Sequence, residues 1–551
     1  MKFSKYLAGS VIAVASLMAS SCVDDLNVEP NDPNVNTVPS SKEDMLGYLA
    51  AVYYDLYTDA GLSLSDGGRG VFTRCHFDLN EITSDELFIS EKWQDPGYQV
   101  LNKNIWTDTN EWIYAAFSRE NHTCKIASTF IQAIHEYGSA WFTEEEIKQM
   151  DAEARALRAY AYYQNIDLFG RGPWIDENSS TGATPPTYDR KQLFEATVAD
   201  LTAYVDNLLP AAQQTYGRLS REAGYMILAK LYLNAEVYTG TAMWQQCADA
   251  LKNVVATGIQ LAPEYKYLFC ASNSKYVGNG EIIFGLPQDR NRLTSWGGTT
   301  ELTCAAYMEA DDSDTPLARQ LLMLNFPGTP WSGLRVRPEL SKALKGDPRR
   351  LIYEGSYQED IPDLTAYNET SCGYMLVKYT FTTEDDYYNE ALVNKFDEVY
   401  AWNNDPANEN DPEYPKAYPQ ATSPDQMSEV DLPVFRLADA YLMLAECQLN
   451  GANVNINGLD GYAYFNMVRD RVGLAPIAQP TANEILHERQ CELYAEGFRR
   501  SDLIRFNRYT GSNYLWSWKG GDFTGTAIPD TRAVFPIPYQ YVITVGQNAG
   551  Y

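Results

Sequence analysis

The segment DAEARALRAYAYYQNIDLFGRGPW, residues 151–174, predicts one long helix that ends in a Gly-Pro turn. The helix begins upstream, because Thr143 followed by Glu146 forms the pattern of a capping box. Gly170 suits the left-handed position after a helix, and Pro173 blocks any continuation. Small and apolar residues line two faces of this helix: Ala154, Leu157, Ala161 and Leu168 on one, and Ala156, Tyr160 and Tyr163 on the other. Such a helix packs against neighbours on both sides, as in a stacked helical array.

The composition is that of a large, acidic and aromatic-rich globular protein. The chain has 551 residues and a formal charge of −30, with 40 tyrosines, 20 phenylalanines and 11 tryptophans. A charge this negative argues against nucleic acid and against an anionic lipid surface as partners. Most of the aromatic residues are expected to pack between helices, and the remainder could form a platform on which sugar rings stack.

The cysteines and histidines do not predict a metal site. None of the nine cysteines forms a C-x-x-C pair, which argues against a zinc knuckle. His487 and Glu488 do not begin a zincin motif, because Cys491 stands where the second histidine belongs. The cysteines and histidines therefore do not decide whether the protein binds a metal ion.

The N-terminus predicts export and lipid attachment. Residues 1–21 have the basic start and short apolar core of a signal peptide, and the small residues before Cys22 resemble a bacterial lipobox. Cys22 is the predicted lipidation site, with a lipid such as palmitate, and a signal peptide without lipid attachment is the alternative. Residues 22–40 are rich in Pro and Asn and predict an extended N-terminal tether.

The remaining chain divides into three regions by its periodicity. Helical patterns fill 41–258, weaken across 259–430 and resume across 431–551. The individual helices are expected at 41–58, 108–137, 190–209, 218–239, 244–257, from 434, at 461–472 and at 481–495. The first and third regions therefore predict helical pairs that resemble tetratricopeptide units.

The middle region, 259–430, is rich in Pro, Gly, Asn and Asp, and 280–288 has the pattern of a short strand. Because Trp, Tyr and Phe recur through it, we expect a loop-rich inserted subdomain and not a disordered insertion. The predicted fold class is mainly α: an array of tetratricopeptide-like helical pairs with an inserted loop-rich subdomain that carries short strands.

Several sequence blocks carry a resemblance to one known family. The pattern E-A-R-x-L-R-A-x-x-Y followed by L-F-G-x-x-P lies within 153–173, and P-x-x-R-x-A-D-x-x-L-x-x-A-E begins at 433. ELYAEGFRRSDLIRF follows at 492–506, and F-P-I-P with Q-N-x-G-Y closes the chain. This ordered set is similar to the SusD/RagB family, surface lipoproteins that collect nutrients for an outer-membrane transporter.

The resemblance implies a function in glycan uptake. It implies a surface-exposed lipoprotein of the outer membrane that is not an enzyme. Such a protein captures oligosaccharides or polysaccharide, with a starch-like glycan as one candidate, and delivers them to a SusC-like TonB-dependent transporter. A peptide-binding uptake lipoprotein is the first alternative. A glycoside hydrolase is the second, and it would need two carboxylates across a cleft, for which 311–314 is the obvious acidic cluster.

The residues predicted to bind the ligand come from the same resemblance. Arg74, in the F-T-R block, matches the binding arginine of the starch-binding member of the family. Two tryptophans of that member are absent here, and Phe88 and Trp93 are the expected substitutes. Trp296 stands where that member has a stacking tyrosine, and Trp331 stands at a second stacking position. Flat aromatic faces suit pyranose C–H faces, and planar polar groups suit their hydroxyls.

Three further expectations accompany these residues. Trp296 and Trp331 are flanked by Ser and Gly, which leaves room for an open ring face, although each could instead anchor a local core under a loop. The starch-binding member binds calcium, but no D-x-D-x-D-G loop assigns ligands here. Charged residues in the family blocks are predicted to pair between packed helices and not to catalyse: Arg155, Arg158, Glu496, Arg499, Asp502 and Arg505.

Overall fold

The computed structural model describes most of the chain after residue 37. The described residues are 38–58, 69–90, 95–179, 184–290, 292–307, 331, 333–354, 357–364, 372–384 and 427–551. The signal peptide, Cys22, nearly all of the tether, Trp93 and the acidic cluster at 311–314 lie outside these residues. The division of the chain at 258 and 430 stays a prediction.

Helices account for most of the regular structure in the described ranges. They are α1 (Lys42–Tyr54), α2 (Phe72–Glu81), α3 (Tyr98–Asn102), α4 (Glu111–Tyr137), α5 (Glu144–Leu168), α6 (Arg190–Tyr204), α7 (Arg221–Leu233), α8 (Ala235–Thr239), α9 (Trp244–Val255), α10 (Gly298–Cys304), α11 (Pro338–Ala343), α12 (Leu437–Leu449), α13 (Gly461–Arg471), α14 (Ala482–Leu493), α15 (Arg499–Arg505) and α16 (Val542–Val545). Short 3-10 helices span Gly138–Ala140, Val205–Asn207, Ala211–Gln213, Tyr265–Phe269, Asn273–Tyr276, Lys519–Gly521 and Asp530–Ala533.

The strands are short and pair in twos. They are β1 (Leu87–Ile89), β2 (Arg171–Pro173), β3 (Thr187–Asp189), β4 (Ile282–Leu286), β5 (Leu334–Val336), β6 (Ile352–Tyr353), β7 (Met375–Leu376) and β8 (Leu432–Arg436). The antiparallel pairs are β1 with β5, β2 with β3, β4 with β8, and β6 with β7. The strand predicted within 280–288 is confirmed as β4.

Helix α5, the long helix predicted from residues 151–174, has the predicted ends. The Thr143 hydroxyl accepts from the Glu146 amide and the Glu146 carboxylate accepts from the Thr143 amide, which completes the capping box. Gly170 has a φ of +65°, the left-handed conformation that ends the helix without a Cβ penalty. The helix packs against α4 on one side and α6 on the other, as its two apolar faces predict.

The predicted fold class is confirmed as a mainly α array of helical pairs with a loop-rich insertion. Packed neighbours continue through α7 with α9, α9 with α12, and α12 with α13 and α14. One large apolar core joins these helices, and a second core draws on segments from the N-terminal, middle and C-terminal parts of the chain. No helix among the described residues is long and apolar enough to cross a membrane.

Several predicted helix bounds were wrong: the helix expected at 41–58 ends at Tyr54, and the helix expected at 190–209 ends at Tyr204. Two further departures have a physical cause in the structure. The helix expected from 434 begins at Leu437, because 432–436 form β8 and pair with β4. The helix expected across 218–239 breaks at Asn234, whose side-chain amide donates to the Lys230 carbonyl and competes with the helical backbone. Both departures come from tertiary pairing or side-chain capping that helical periodicity does not encode.

The charged residues of the family blocks pair as predicted. Arg155 and Arg158 each contact Glu177 and Asp200, and Arg499 contacts Asp85 at 2.7 Å. The other charged residues of these blocks also form ion pairs. Glu496 pairs with Lys378 and Arg436, and Asp502 pairs with Arg489 and Arg505. Buried charges need partners of opposite sign, and these supply them.

Candidate functional site

Two of the predicted ligand-binding tryptophans lie side by side. The ring centroids of Trp296 and Trp331 are 5.9 Å apart, and their planes are inclined by 39°. Trp296 is 41% exposed, which is unusual for so large an apolar side chain, whereas Trp331 is half-buried and packs against the second core. The pair therefore forms one tilted aromatic surface with an open ring at its outer side.

The short helix α10 places both tryptophans. Trp296 precedes the helix by two residues, and the Trp331 amide donates to the carbonyl of Cys304, its last residue, at 2.7 Å. Trp296 and Trp331 are thus neighbours in space although many residues separate them in the sequence. Residues 308–330 between them lie outside the described ranges. Sequence reasoning found both rings but could not show that they meet.

A fixed turn holds Trp296 over helix α2. The Ser295 hydroxyl donates to the Tyr57 carbonyl at 2.7 Å and accepts from the Gly297 amide at 3.1 Å. A Cβ at Gly297 would lie 2.8 Å from Val71 Cγ1 and 3.0 Å from Arg74 Cβ. Glycine at 297 therefore allows the tryptophan loop to rest directly on the start of α2.

Arg74 lies beneath this loop and is 4% exposed. Its Nε is 3.0 Å from Glu301 Oε1 on α10, and its Nη2 is 3.6 Å from Asp95 Oδ2 and 3.4 Å from the Tyr98 hydroxyl. The neighbouring acids hold the pKa of the guanidinium above its ordinary value although burial opposes this. Arg74 joins α2 to α10 and supports the aromatic surface from below.

Two of the acids around Arg74, Glu301 and Asp78, are themselves buried. Burial raises the pKa of Glu301 and of Asp78, and the positive charge of Arg74 opposes that rise in both. The Tyr98 hydroxyl donates to Asp78 Oδ2 at 2.7 Å, and the Tyr98 ring packs at 4.4 Å from the Trp112 ring. The layer below the tryptophans is thus a packed set of ion pairs and aromatic rings.

Sequence reasoning missed Glu301 and Asp95 as the partners of Arg74. Asp78 follows Arg74 by four residues on one helix and could have been found by helical spacing. Glu301 comes from a helix more than two hundred positions away, and no local signal marks it.

Phe88 does not join the tryptophan pair. Phe88, on β1, is 1% exposed and packs in a small core with Ile361, Leu364 and Cys372. A ligand would reach its ring only if that core opened. Trp93 lies outside the described residues, so its place in a site stays a prediction.

Comparison with known proteins finds sequence similarity to one family. The sequence model of the SusD family matches residues 281–546. The chain is 27% identical to the starch-binding protein SusD of Bacteroides thetaiotaomicron, over 100% of this chain and 99% of that protein. The chain is therefore similar to the SusD/RagB family along its whole length. A SusD-like protein of Bacteroides ovatus is 23% identical over 92% of this chain and 83% of its own length.

Solved structures of SusD-like proteins share the fold. Surface glycan-binding protein A from Bacteroides thetaiotaomicron, in complex with laminarihexaose, aligns with a TM-score of 0.66 at 18% identity over 92% of this chain and 99% of that chain. A laminarin-binding SusD-like protein aligns with a TM-score of 0.65 at 20% identity over 93% of this chain and 100% of that chain. At such identities the match shows a common SusD-like fold.

Proposed function

We propose that this SusD-like protein captures glycans at the cell surface through the aromatic surface of Trp296 and Trp331. The observation that carries the proposal is the exposed, tilted pair itself, with ring centroids 5.9 Å apart. An open indole offers the flat apolar face that pyranose rings need, and the inclination of the two rings suits a chain that curves between them. The names of two relatives, one starch-binding and one laminarin-binding, support a glucan as ligand.

The preorganised support beneath the pair favours binding. The Ser295 and Gly297 bonds fix the Trp296 loop, and the ion pair of Arg74 with Glu301 fixes the helices below it. Rings that are already held in place lose little conformational freedom when a ligand arrives, so more of the contact energy appears as affinity.

A binding role accounts for the site better than hydrolysis does. Glycoside hydrolysis needs two carboxylates that reach the scissile bond. Among the described acids that contact Arg74 beneath the pair, Glu301 and Asp78 are 2% and 0% exposed. Both are occupied by Arg74, as structural ion pairs are.

Similarity to the family and the N-terminal sequence extend the proposal to the cell surface. Lipid at Cys22 would anchor the protein to the outer membrane, and a SusC-like TonB-dependent transporter would receive the captured glycan. Purification in mild detergent from the native cells should recover a large β-barrel protein together with this chain. Repeated recovery of this chain alone would contradict the transporter partnership.

Calorimetric titration tests the glycan proposal. The purified protein should bind maltooligosaccharides or laminarioligosaccharides and leave them unhydrolysed when the mixture is analysed by chromatography. A panel of oligopeptides serves as the comparison. Binding of peptides without binding of any glycan would favour the peptide-uptake alternative, and release of shorter sugars would favour the hydrolase.

A further inference from the structure

A second aromatic groove lies beside the tryptophan pair. Its volume is about 600 Å³, and it runs between helix α1 and the loop at 216–218. Its walls include Leu46, Tyr54, Tyr57, Tyr216, Pro287 and Leu293. Nothing in the sequence resemblance pointed to these residues.

Tyr216 has the reverse of the usual orientation of a surface tyrosine. Amphipathic side chains ordinarily pack their apolar body on the protein and leave the polar tip in water. Tyr216 is 53% exposed, yet its hydroxyl donates to Asp431, which is 1% exposed. Because the polar tip is buried, the exposed part of the side chain is the ring.

The backbone around Tyr216 is fixed as firmly as its hydroxyl. Gly217 has a φ of +79°, and a Cβ there would lie 2.6 Å from Pro287 Cγ. Asp431 is held in turn, since its Oδ1 accepts from the Gln288 amide at 3.0 Å. An exposed ring that is fixed at both ends is preorganised to stack on a flat ligand.

Tyr54 supplies a second exposed ring to the groove. It is the last residue of α1 and is 51% exposed. Tyr57, one turn further on, is buried and lies at the base of the same groove. Two open rings above an apolar base match the needs of a sugar chain, which stacks its C–H faces and leaves its hydroxyls in water.

The charges of the groove favour a neutral ligand. Arg218 is the one cation among the described residues that line it, and it is paired with Glu153, with Nε 2.8 Å from Glu153 Oε1. The same set of lining residues includes no carboxylate. A glycan with acid groups would find no cation there to neutralise its charge, whereas a neutral glycan needs none.

The groove adjoins the tryptophan site. Tyr57, at its base, accepts the hydrogen bond from Ser295 that fixes the Trp296 loop, and Leu293 lines its wall three residues before Trp296. We propose that Tyr54 and Tyr216 form a second subsite for a neutral glycan chain that also occupies Trp296 and Trp331, so that the protein selects long chains. This inference rests on the proposed glycan-binding function.

Titration against oligosaccharides of increasing length tests the second subsite. The probes are the maltooligosaccharide and laminarioligosaccharide series, from disaccharide to the longest soluble member. In whichever series binds, wild-type affinity should rise with length. Tyr216→Ala and Tyr54→Ala should each lower the affinity of the longest member by about tenfold and leave the short members unchanged, on the scale of aromatic stacking.

Matched variants separate this result from general damage. Tyr539→Ala removes another exposed tyrosine, 57% exposed, from outside the groove and should change no affinity. Trp296→Ala should weaken long and short chains together. Thermal melts check that each variant is folded. Tyr54→Ala tests the second subsite without removing the hydrogen bond from Tyr216 to Asp431.

The failures of the two proposals are distinguishable. If the wild type binds no member of either series, the proposed glucan binding and the second subsite are both overturned. If it binds but Tyr216→Ala and Tyr54→Ala keep the wild-type length dependence, the second subsite alone is overturned, and the groove serves another occupant such as a protein partner.

Discussion

The guanidinium of Arg74 lies 3.0 Å from the carboxylate of Glu301, and this ion pair joins helix α2 to helix α10 directly beneath Trp296. The two helices come from segments more than two hundred residues apart. The geometry of the proposed binding surface therefore depends on an ion pair that is buried beneath it.

Arg74→Met should destabilise the fold. It keeps much of the side-chain volume but leaves Glu301 and Asp78 buried without their cation, which costs about 3–5 kcal/mol. Urea denaturation measures the loss. Arg290→Met is the control, because Arg290 pairs with Glu429 at partly exposed positions and should cost about 1 kcal/mol or less. Equal losses in the free energy of unfolding of the two variants would contradict the larger contribution predicted for the buried ion pair.

Trp296→Ala should weaken glycan binding with little effect on folding. Loss of a stacking aromatic costs about 1–3 kcal/mol of binding, by analogy with stacking on nucleic-acid bases. Trp331→Ala should show the same loss together with a lower melting temperature, because Trp331 is half-buried. Trp516→Ala, at a position 1% exposed, should instead destabilise by about 3–5 kcal/mol and spare affinity. Unchanged affinity in both site variants, with normal melts, would remove the pair from the site.

Gly297→Ala should disturb the tryptophan loop by crowding. The new Cβ would meet Val71 Cγ1 at 2.8 Å, and overpacking of this kind costs about 1–3 kcal/mol. Glycan affinity should fall with it, since Trp296 is the adjacent residue. Gly47→Ala on α1 is the stability control, because its Cβ would meet no atom within 4 Å and should be neutral or stabilising. A melting temperature unchanged by Gly297→Ala would show that the loop has room to move.

Asp431→Asn should change how stability depends on pH. Burial raises the pKa of Asp431 to about 6, with hydrogen bonds from Tyr216 and the Gln288 amide opposing that rise. A carboxyl whose folded pKa lies above its unfolded pKa contributes stability at low pH that is lost as the pH rises through the folded pKa. The melting temperature of the variant relative to wild type should therefore increase between about pH 4 and pH 6, from the unfolded to the folded pKa, and level off above. A difference that stays constant over this range would contradict a raised pKa.

Cys22→Ala should release the protein from the membrane fraction. Cell fractionation and immunoblotting measure the shift, and a serine replacement of a buried cysteine, Cys447→Ser, controls for loss of a thiol elsewhere. External protease should also clip the wild-type protein on intact cells. Protection from protease while the cells remain whole would contradict surface exposure.

Local sequence signals predicted the elements that depend on local interactions. The capping boxes at Thr143 and Thr481 and the left-handed Gly170 were readable because all their partners lie within a few residues. The start of α12 was misplaced because β8 exists only through its pairing with β4, about 150 residues earlier. Apolar periodicity alone does not distinguish such a strand from the first turn of a helix.

The candidate site was predictable to the extent that it resembles the family. Trp296 and Trp331 came from matched blocks, but their meeting depends on the hydrogen bond from Trp331 to Cys304. Phe88 was chosen by position along the chain, and the structure buries it because β1 pairs with β5 and turns that ring toward Ile361. Tyr54 and Tyr216 carry no motif at all, and the exposure of the Tyr216 ring follows from the tertiary hydrogen bond of its hydroxyl to Asp431.

The pairing of β4 with β8 has a consequence for how such proteins diversify. Leu286 and Leu432 are register partners, so residues 287–431 leave the helical array and return to it at one place. An excursion whose two ends already touch can be lengthened or exchanged at a small cost in loop-closure entropy. Both tryptophans and α10 belong to this excursion, and its described parts share the second core with helices of the array. Loop length and ligand-facing side chains can therefore vary between the two anchored ends, while the residues that share the second core and its buried ion pairs must be kept.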